Sequence, residues 1–128
     1  MSIGPDMAGK KKILIIDDDH DIKTLIRKLL EQDYELMFTS DGAEGLHLAK
    51  KHSPDLIILD IMLPKMDGFM ICRMLKFDSK YAGIPIVMLT GKAGDSDKAK
   101  GLEAGAQAYI VKPFSKDELL KAVTGLIR

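Results

Sequence analysis

Leu56-Ile57-Ile58-Leu59 is an unbroken run of four branched aliphatic residues that stops at an ionisable one, Asp60. A strand with one face in water alternates apolar and polar side chains, so a short continuous run suits a strand covered on both faces. Helices on either side of a parallel sheet provide that cover. The run therefore sets a carboxylate at the carboxyl end of a core strand. Pro64 blocks an immediate helix, and Asp67-Gly68 supplies a turn and an N-cap before the next apolar-periodic segment. Asp60 is expected in a loop crevice, where open α/β sheets hold their ligands.

The same alternation recurs along the chain. Ile13-Leu14-Ile15-Ile16 is a first buried strand ending in Asp17, Asp18 and Asp19, and helical spacing follows at Ile22, Leu25, Ile26, Leu29 and Leu30. Tyr34 to Thr39 is a second, edge strand, and Asp41-Gly42 opens a helix that can turn Ala43, Leu46 and Ala49 inward. A third helix carries Phe69, Cys72, Leu75 and Lys76. Ile84 to Leu89 form strand four, with Pro85 tolerable near its start and Thr90 at its end. Gly91 to Gly94 make a loose loop, Asp95 or Ser96 can cap helix four, and Gly101 and Gly105 weaken that helix and end it early. Tyr109-Ile110-Val111 is strand five, and Ser115 to Glu118 has capping-box spacing before a last helix with Leu119, Leu120, Val123 and Leu126.

Five strands alternating with five helices require parallel crossovers, hence a doubly wound α/β fold of the flavodoxin-like type: a five-stranded parallel sheet in a three-layer α/β/α sandwich. In strand order 2-1-3-4-5, strands one and three flank the switch point, which brings Asp17, Asp18 and Asp60 to one crevice.

Composition sets limits on function. The 128 residues suffice for one domain, expected over residues 11–128 after a flexible leader at 1–10. Lys+Arg and Asp+Glu are equal at 19 each, which weighs against nucleic-acid binding and against attraction to an anionic membrane. Cys72 is the single cysteine, and no apolar stretch reaches signal-peptide or membrane-spanning length, so a reducing, cytoplasmic setting is expected. Gly4 to Lys11 nearly spells a phosphate-binding loop, but Lys11 stands where a Ser or Thr must hold the metal.

Carboxylates converging on one crevice repel one another unless something positive compensates. Aspartates with a loop carbonyl and water suit Mg²⁺ or Mn²⁺, whereas Zn²⁺ would want His or Cys. Lys112 brings an ammonium from the end of strand five and Thr90 a hydroxyl from strand four, completing what phosphoryl transfer to a carboxylate needs. Beside these stand plainer roles. Asp19 suits a helix N-cap, His20, His47 and His52 suit the surface, and Cys72 suits a buried structural position. Met37, Met62, Met66, Met70, Met74 and Met88 suit gaps in core or loop.

Ile15-Ile16-Asp17-Asp18, Leu59-Asp60-Ile61-Met62-Leu63-Pro64 through Met66-Asp67-Gly68, Thr90, and Tyr109-Ile110-Val111-Lys112-Pro113-Phe114 together resemble the receiver domain of two-component response regulators, over roughly residues 12 to 127. The resemblance implies Asp60 as phosphoacceptor, taking its phosphoryl group from a histidine kinase or histidine phosphotransfer protein. Asp18 would bind Mg²⁺ directly, Asp17 mainly through water, and the Met62 carbonyl would complete the site. Thr90 and Lys112 would contact phosphoryl oxygens, Tyr109 would be the aromatic switch, and the Lys112-Pro113 bond would be cis. The helix 4, strand 5, helix 5 face would then change its affinity for a downstream protein or an output domain. Such a module is not an enzyme, beyond at most slow self-dephosphorylation. Met62 and Lys92 stand where the family tunes that reaction, and a thioether positions no attacking water, so a long-lived phosphoaspartate is expected.

Two other functions compete. An aspartyl-phosphate phosphohydrolase needs a second acid two residues after the nucleophile, where this chain has Met62. A flavin carrier of the same fold would meet three acids that repel the flavin phosphate. With nothing after Arg128, the chain is expected to act alone, to serve in a phosphorelay, or to be one part of a longer regulator.

Overall fold

The computed structural model describes residues 9–127. Its elements run β1 (Lys11–Ile16), α1 (His20–Leu30), β2 (Tyr34–Thr39), α2 (Gly42–His52), β3 (Leu56–Leu59), α3 (Gly68–Lys76), β4 (Ile86–Thr90), α4 (Asp95–Glu103), β5 (Ala108–Val111) and α5 (Lys116–Leu126). The five strands are parallel, as the alternation required, and stand in the expected order β2-β1-β3-β4-β5.

Each strand sends alternate side chains to opposite faces, and each face has its own core. Leu14, Ile16, Ile57, Leu59, Ile86 and Met88 pack with Leu46 and Ala49 of α2 and with Ile71, Cys72 and Leu75 of α3. Ile13, Ile15, Leu56, Ile58, Val87 and Leu89 pack with Ile26 and Leu30 of α1 and with Leu119 and Val123 of α5. β3 is buried throughout because it lies mid-sheet with helices on both sides. α2 approaches β1 closely: a Cβ on Gly45 would lie 2.6 Å from Ile16 Cδ1.

The structure corrects several local expectations. Ala43 is exposed, and Gly42 and Gly45 are buried instead, Gly42 against Met66 and against Ile71 of α3 and Gly45 against Ile16 of the sheet, with no room for a side chain at either. Leu25 is 38% exposed beside the buried Ile26. β4 begins at Ile86, since Pro85 has no N–H for the ladder and Ile84 instead closes a turn onto Tyr81 O. α4 is capped by neither Asp95 nor Ser96; Gly94 is its N-cap and offers no side-chain bond. Met62, Met70 and Met74 are not gap fillers, being 52%, 52% and 44% exposed. Asp19, Asp41, Asp67 and Ser115 do cap α1, α2, α3 and α5. Residues 1–8, most of the expected leader and of the Gly4 to Lys11 stretch, lie outside the described residues, and Lys11 belongs to β1.

Candidate functional site

Register positions the site. Ile16 of β1 faces Leu59 of β3, so Asp17 and Asp60 leave the sheet side by side, and Asp60 N–H donates to the Ile16 carbonyl at 2.9 Å. Lys112 leaves β5 in the same way, its N–H donating to the Thr90 carbonyl at 2.8 Å. The backbone ladder thus continues one residue into the crevice and fixes where each side chain starts.

The side chains then converge. Lys112 Nζ donates to Asp60 Oδ2 at 3.0 Å and lies 2.9 Å from Asp17 Oδ2. The contact with Asp17 is an ion pair without hydrogen-bond alignment, and Asp17 Oδ2 is a buried oxygen with no hydrogen-bond partner. The other carboxylate oxygens are held locally. Asp17 Oδ1 accepts from Asp19 N–H at 2.8 Å, and Asp60 Oδ1 accepts from Met62 N–H at 2.9 Å. Asp17 and Asp60 are 1% and 5% exposed, so both are pinned and largely dry.

Burial raises the Asp17 carboxyl above its ordinary range, against the opposing pull of Asp19 N–H and Lys112. Burial alone would depress the Lys112 ammonium, but Asp17 and Asp60 outweigh it and hold the group above its ordinary value. Lys112 is therefore a fixed cation at neutral pH. One ammonium still cannot balance three carboxylates: oxygens of Asp17, Asp18 and Asp60 lie within 4.8 Å of one another, and Asp18 opens to solvent. An all-oxygen donor set whose buried Asp17 Oδ2 accepts no hydrogen bond among the described residues, with one ammonium for three carboxylates, fits a hard divalent cation such as Mg²⁺ or Mn²⁺.

Thr90 is fully buried at the end of β4, and its hydroxyl accepts weakly from Lys92 N–H at 3.4 Å. Tyr109 is half-buried, and its hydroxyl donates to the Lys92 carbonyl at 2.7 Å. The backbone of Lys92 therefore links Thr90 to Tyr109, a connection with no counterpart in the sequence because main-chain groups carry no residue signature. The Lys112–Asp17 pairing likewise goes beyond the sequence, which marked Lys112 as an ammonium at the crevice and a contact for phosphoryl oxygens. The Lys112-Pro113 bond is cis, as the resemblance implied. Cys72 is structural: its buried thiol donates to the Ala104 carbonyl at 3.4 Å, and burial pushes its pKa up to about 11. Among the described residues no helix is long and apolar enough to cross a membrane.

Comparison with known proteins agrees with this geometry. Residues 13–124 match the family model of the response regulator receiver domain. Over 118 residues the chain is 45% identical to the DNA-binding dual master transcriptional regulator RpaA of Synechocystis, covering 91% of this chain and 49% of that protein. It is 44% identical over 119 residues to the alkaline phosphatase synthesis transcriptional regulatory protein PhoP of Bacillus subtilis, covering 92% of this chain and 49% of that one. The chain thus spans about half the length of these relatives. Its fold is similar to that of the chemotaxis protein CheY4 of Vibrio cholerae, with a TM-score of 0.84 and 34% identity, covering 92% of this chain and 99% of that one. The sheet order, the acidic crevice and these similarities lead to one conclusion: the chain belongs to the response regulator receiver domain family.

Proposed function

We propose that residues 11–128 form a receiver unit, preceded by a leader at 1–10, that takes a phosphoryl group onto Asp60 from a histidine kinase or histidine phosphotransfer protein. The observation that carries this reading is the convergence of Asp17, Asp18 and Asp60 around the single Lys112 ammonium, which pairs with Asp17 Oδ2 and Asp60 Oδ2 and leaves the cluster with more negative than positive charge. Asp17, Asp18, Asp60 and the Met62 carbonyl would hold a divalent cation, which would supply the positive charge that lets a carboxylate approach a phosphoryl group. An Asp60 oxygen attacks phosphorus in line as the phosphorus–nitrogen bond of the donor phosphohistidine breaks, and the imidazole leaves with its electron pair and takes up a proton. Lys112 pairs with a phosphoryl oxygen, and the Thr90 hydroxyl donates to another.

Phosphorylation adds about −2 charge and more acceptor oxygens at Asp60. Thr90 moves toward them, Tyr109 settles inward, and the face of α4, β5 and α5 changes its affinity for a downstream protein or output domain. The change is a population shift, driven by the different energy of the phosphoryl group in the two arrangements.

Incubation with Mg²⁺ and acetyl phosphate tests the chemistry. One added phosphoryl group by intact mass, absent in Asp60→Asn, is the expected result. No addition from acetyl phosphate or from a phosphorylated histidine kinase would end the proposal. Sustained phosphate release at many turnovers would favour the phosphohydrolase instead, against which stands Met62, whose thioether carries no proton to transfer.

A further inference from the structure

α4 crosses β5 at Gly101, the one residue of that helix that is buried. The reason lies in what faces it. A Cβ built on Gly101 would stand 2.7 Å from Tyr109 Cδ2, 3.1 Å from Tyr109 Cε2 and 2.9 Å from Met88 Sδ. The Tyr109 ring therefore occupies the space a side chain would take and rests on the helix backbone. Its hydroxyl is held at the far end by the Lys92 carbonyl, 2.7 Å away. Burial raises the Tyr109 phenol above its ordinary value, consistent with a seated ring. Glycine inside a helix is unfavourable relative to alanine, and this one lies on a helix otherwise exposed apart from the half-buried Asp97.

We propose that Gly101 is a positioning residue: its missing side chain forms the notch that seats the Tyr109 ring between α4 and β5, and so sets how much of the population has the ring inward. The proposal rests on the reading of Tyr109 as the switch. Without the notch, the ring can stay inward only if α4 or Met88 shifts, so the equilibrium moves toward the outward ring and the activating ligand must restore it. An apparent affinity falls by the fraction of molecules in the competent arrangement.

Three tyrosines are present, so Tyr34→Phe and Tyr81→Phe leave Tyr109 as the sole site for fluorotyrosine labelling. Fluorine NMR then reads the ring, and titration with beryllofluoride in excess Mg²⁺ reads occupancy of Asp60. In Gly101→Ala we expect the Tyr109 resonance to move toward its position in urea-unfolded protein and half-saturation by beryllofluoride to require about tenfold more ligand. A helix-stabilising substitution with only a structural role would leave both unchanged, and unchanged values overturn the proposal. Should Gly101→Ala fail to fold, the double variant with Tyr109→Leu decides. A folded double variant supports a clash with the ring, and an unfolded one overturns it. Wild-type beryllofluoride affinity in Gly101→Ala despite a displaced resonance overturns the functional half and, with it, Tyr109 as the switch, while the seating role of Gly101 stands.

Discussion

Lys112 makes the crevice tenable. Its ammonium lies within 3.0 Å of oxygens from both Asp17 and Asp60, two carboxylates that are almost fully buried. Removing one partner of a buried ion pair leaves the other charge uncompensated, at a cost of about 3 kcal/mol. Lys112→Met is therefore expected to lower stability by about that amount at pH 7 without divalent cation, read from the urea midpoint. The sign of its pH dependence follows from its raised pKa. On the alkaline side the stabilisation is complete below the unfolded-state value of about 10.4 and is lost as pH rises through the folded-state value; in acid, protonation of the partner carboxylates also closes the gap between wild type and variant. Met62 gives a second expectation at this scale. Its backbone N–H holds Asp60 Oδ1 while its side chain is exposed and cannot orient water. Met62→Asn should shorten the phosphoaspartate lifetime roughly tenfold, since general acid–base or water-positioning groups contribute that much or more; an unchanged lifetime by intact mass would overturn the expectation that Met62 slows decay.

The elements differ in how firmly they are held. α1, α2, α3 and α5 each begin with a side-chain cap, whereas α4 begins at Gly94 without one and buries only Gly101. A helix with little buried apolar surface and no cap opens at low free energy. Amide hydrogen exchange is accordingly expected to be at least tenfold faster in α4 than in α5, a difference of about 1.4 kcal/mol in opening free energy. Equal protection in the two helices would contradict it. This looseness suits the element whose face is proposed to change, because a conformational switch draws on parts of low local stability. The α3–β4 connection contrasts with it: Lys76 Nζ donates to the Ala82 and Ile84 carbonyls at 3.1 and 2.6 Å.

For the molecule as a whole, the clustered carboxylates are expected to tie folding to metal. A cation that binds the folded chain alone adds about 2.7 kcal/mol at a hundred times its dissociation constant. Mg²⁺ should therefore raise the thermal midpoint in a concentration-dependent way, EDTA should reverse the rise, and Asp17→Asn should abolish it. A midpoint indifferent to Mg²⁺ would show that the cluster binds no metal. The sequence by itself determined the architecture and the addresses of the site. Continuous runs such as Leu56–Leu59 specify doubly covered strands, their alternation with helices requires parallel crossovers, and a charge just after a strand must emerge at the carboxyl end of the sheet. Asp19, Asp41, Asp67 and Ser115 were legible as caps because capping depends on residues only two or three apart. Tertiary structure decided what depends on distance between elements: that Lys112 pairs with Asp17 as well as Asp60, that the Lys92 backbone links Thr90 to Tyr109, and that Gly45 and Gly101 are contact points where Ile16 and Tyr109 fill the missing side chain's place. A glycine in a helix looks like weakness until the neighbour is known, because close approach belongs to pairs of elements and leaves no periodic mark in either one.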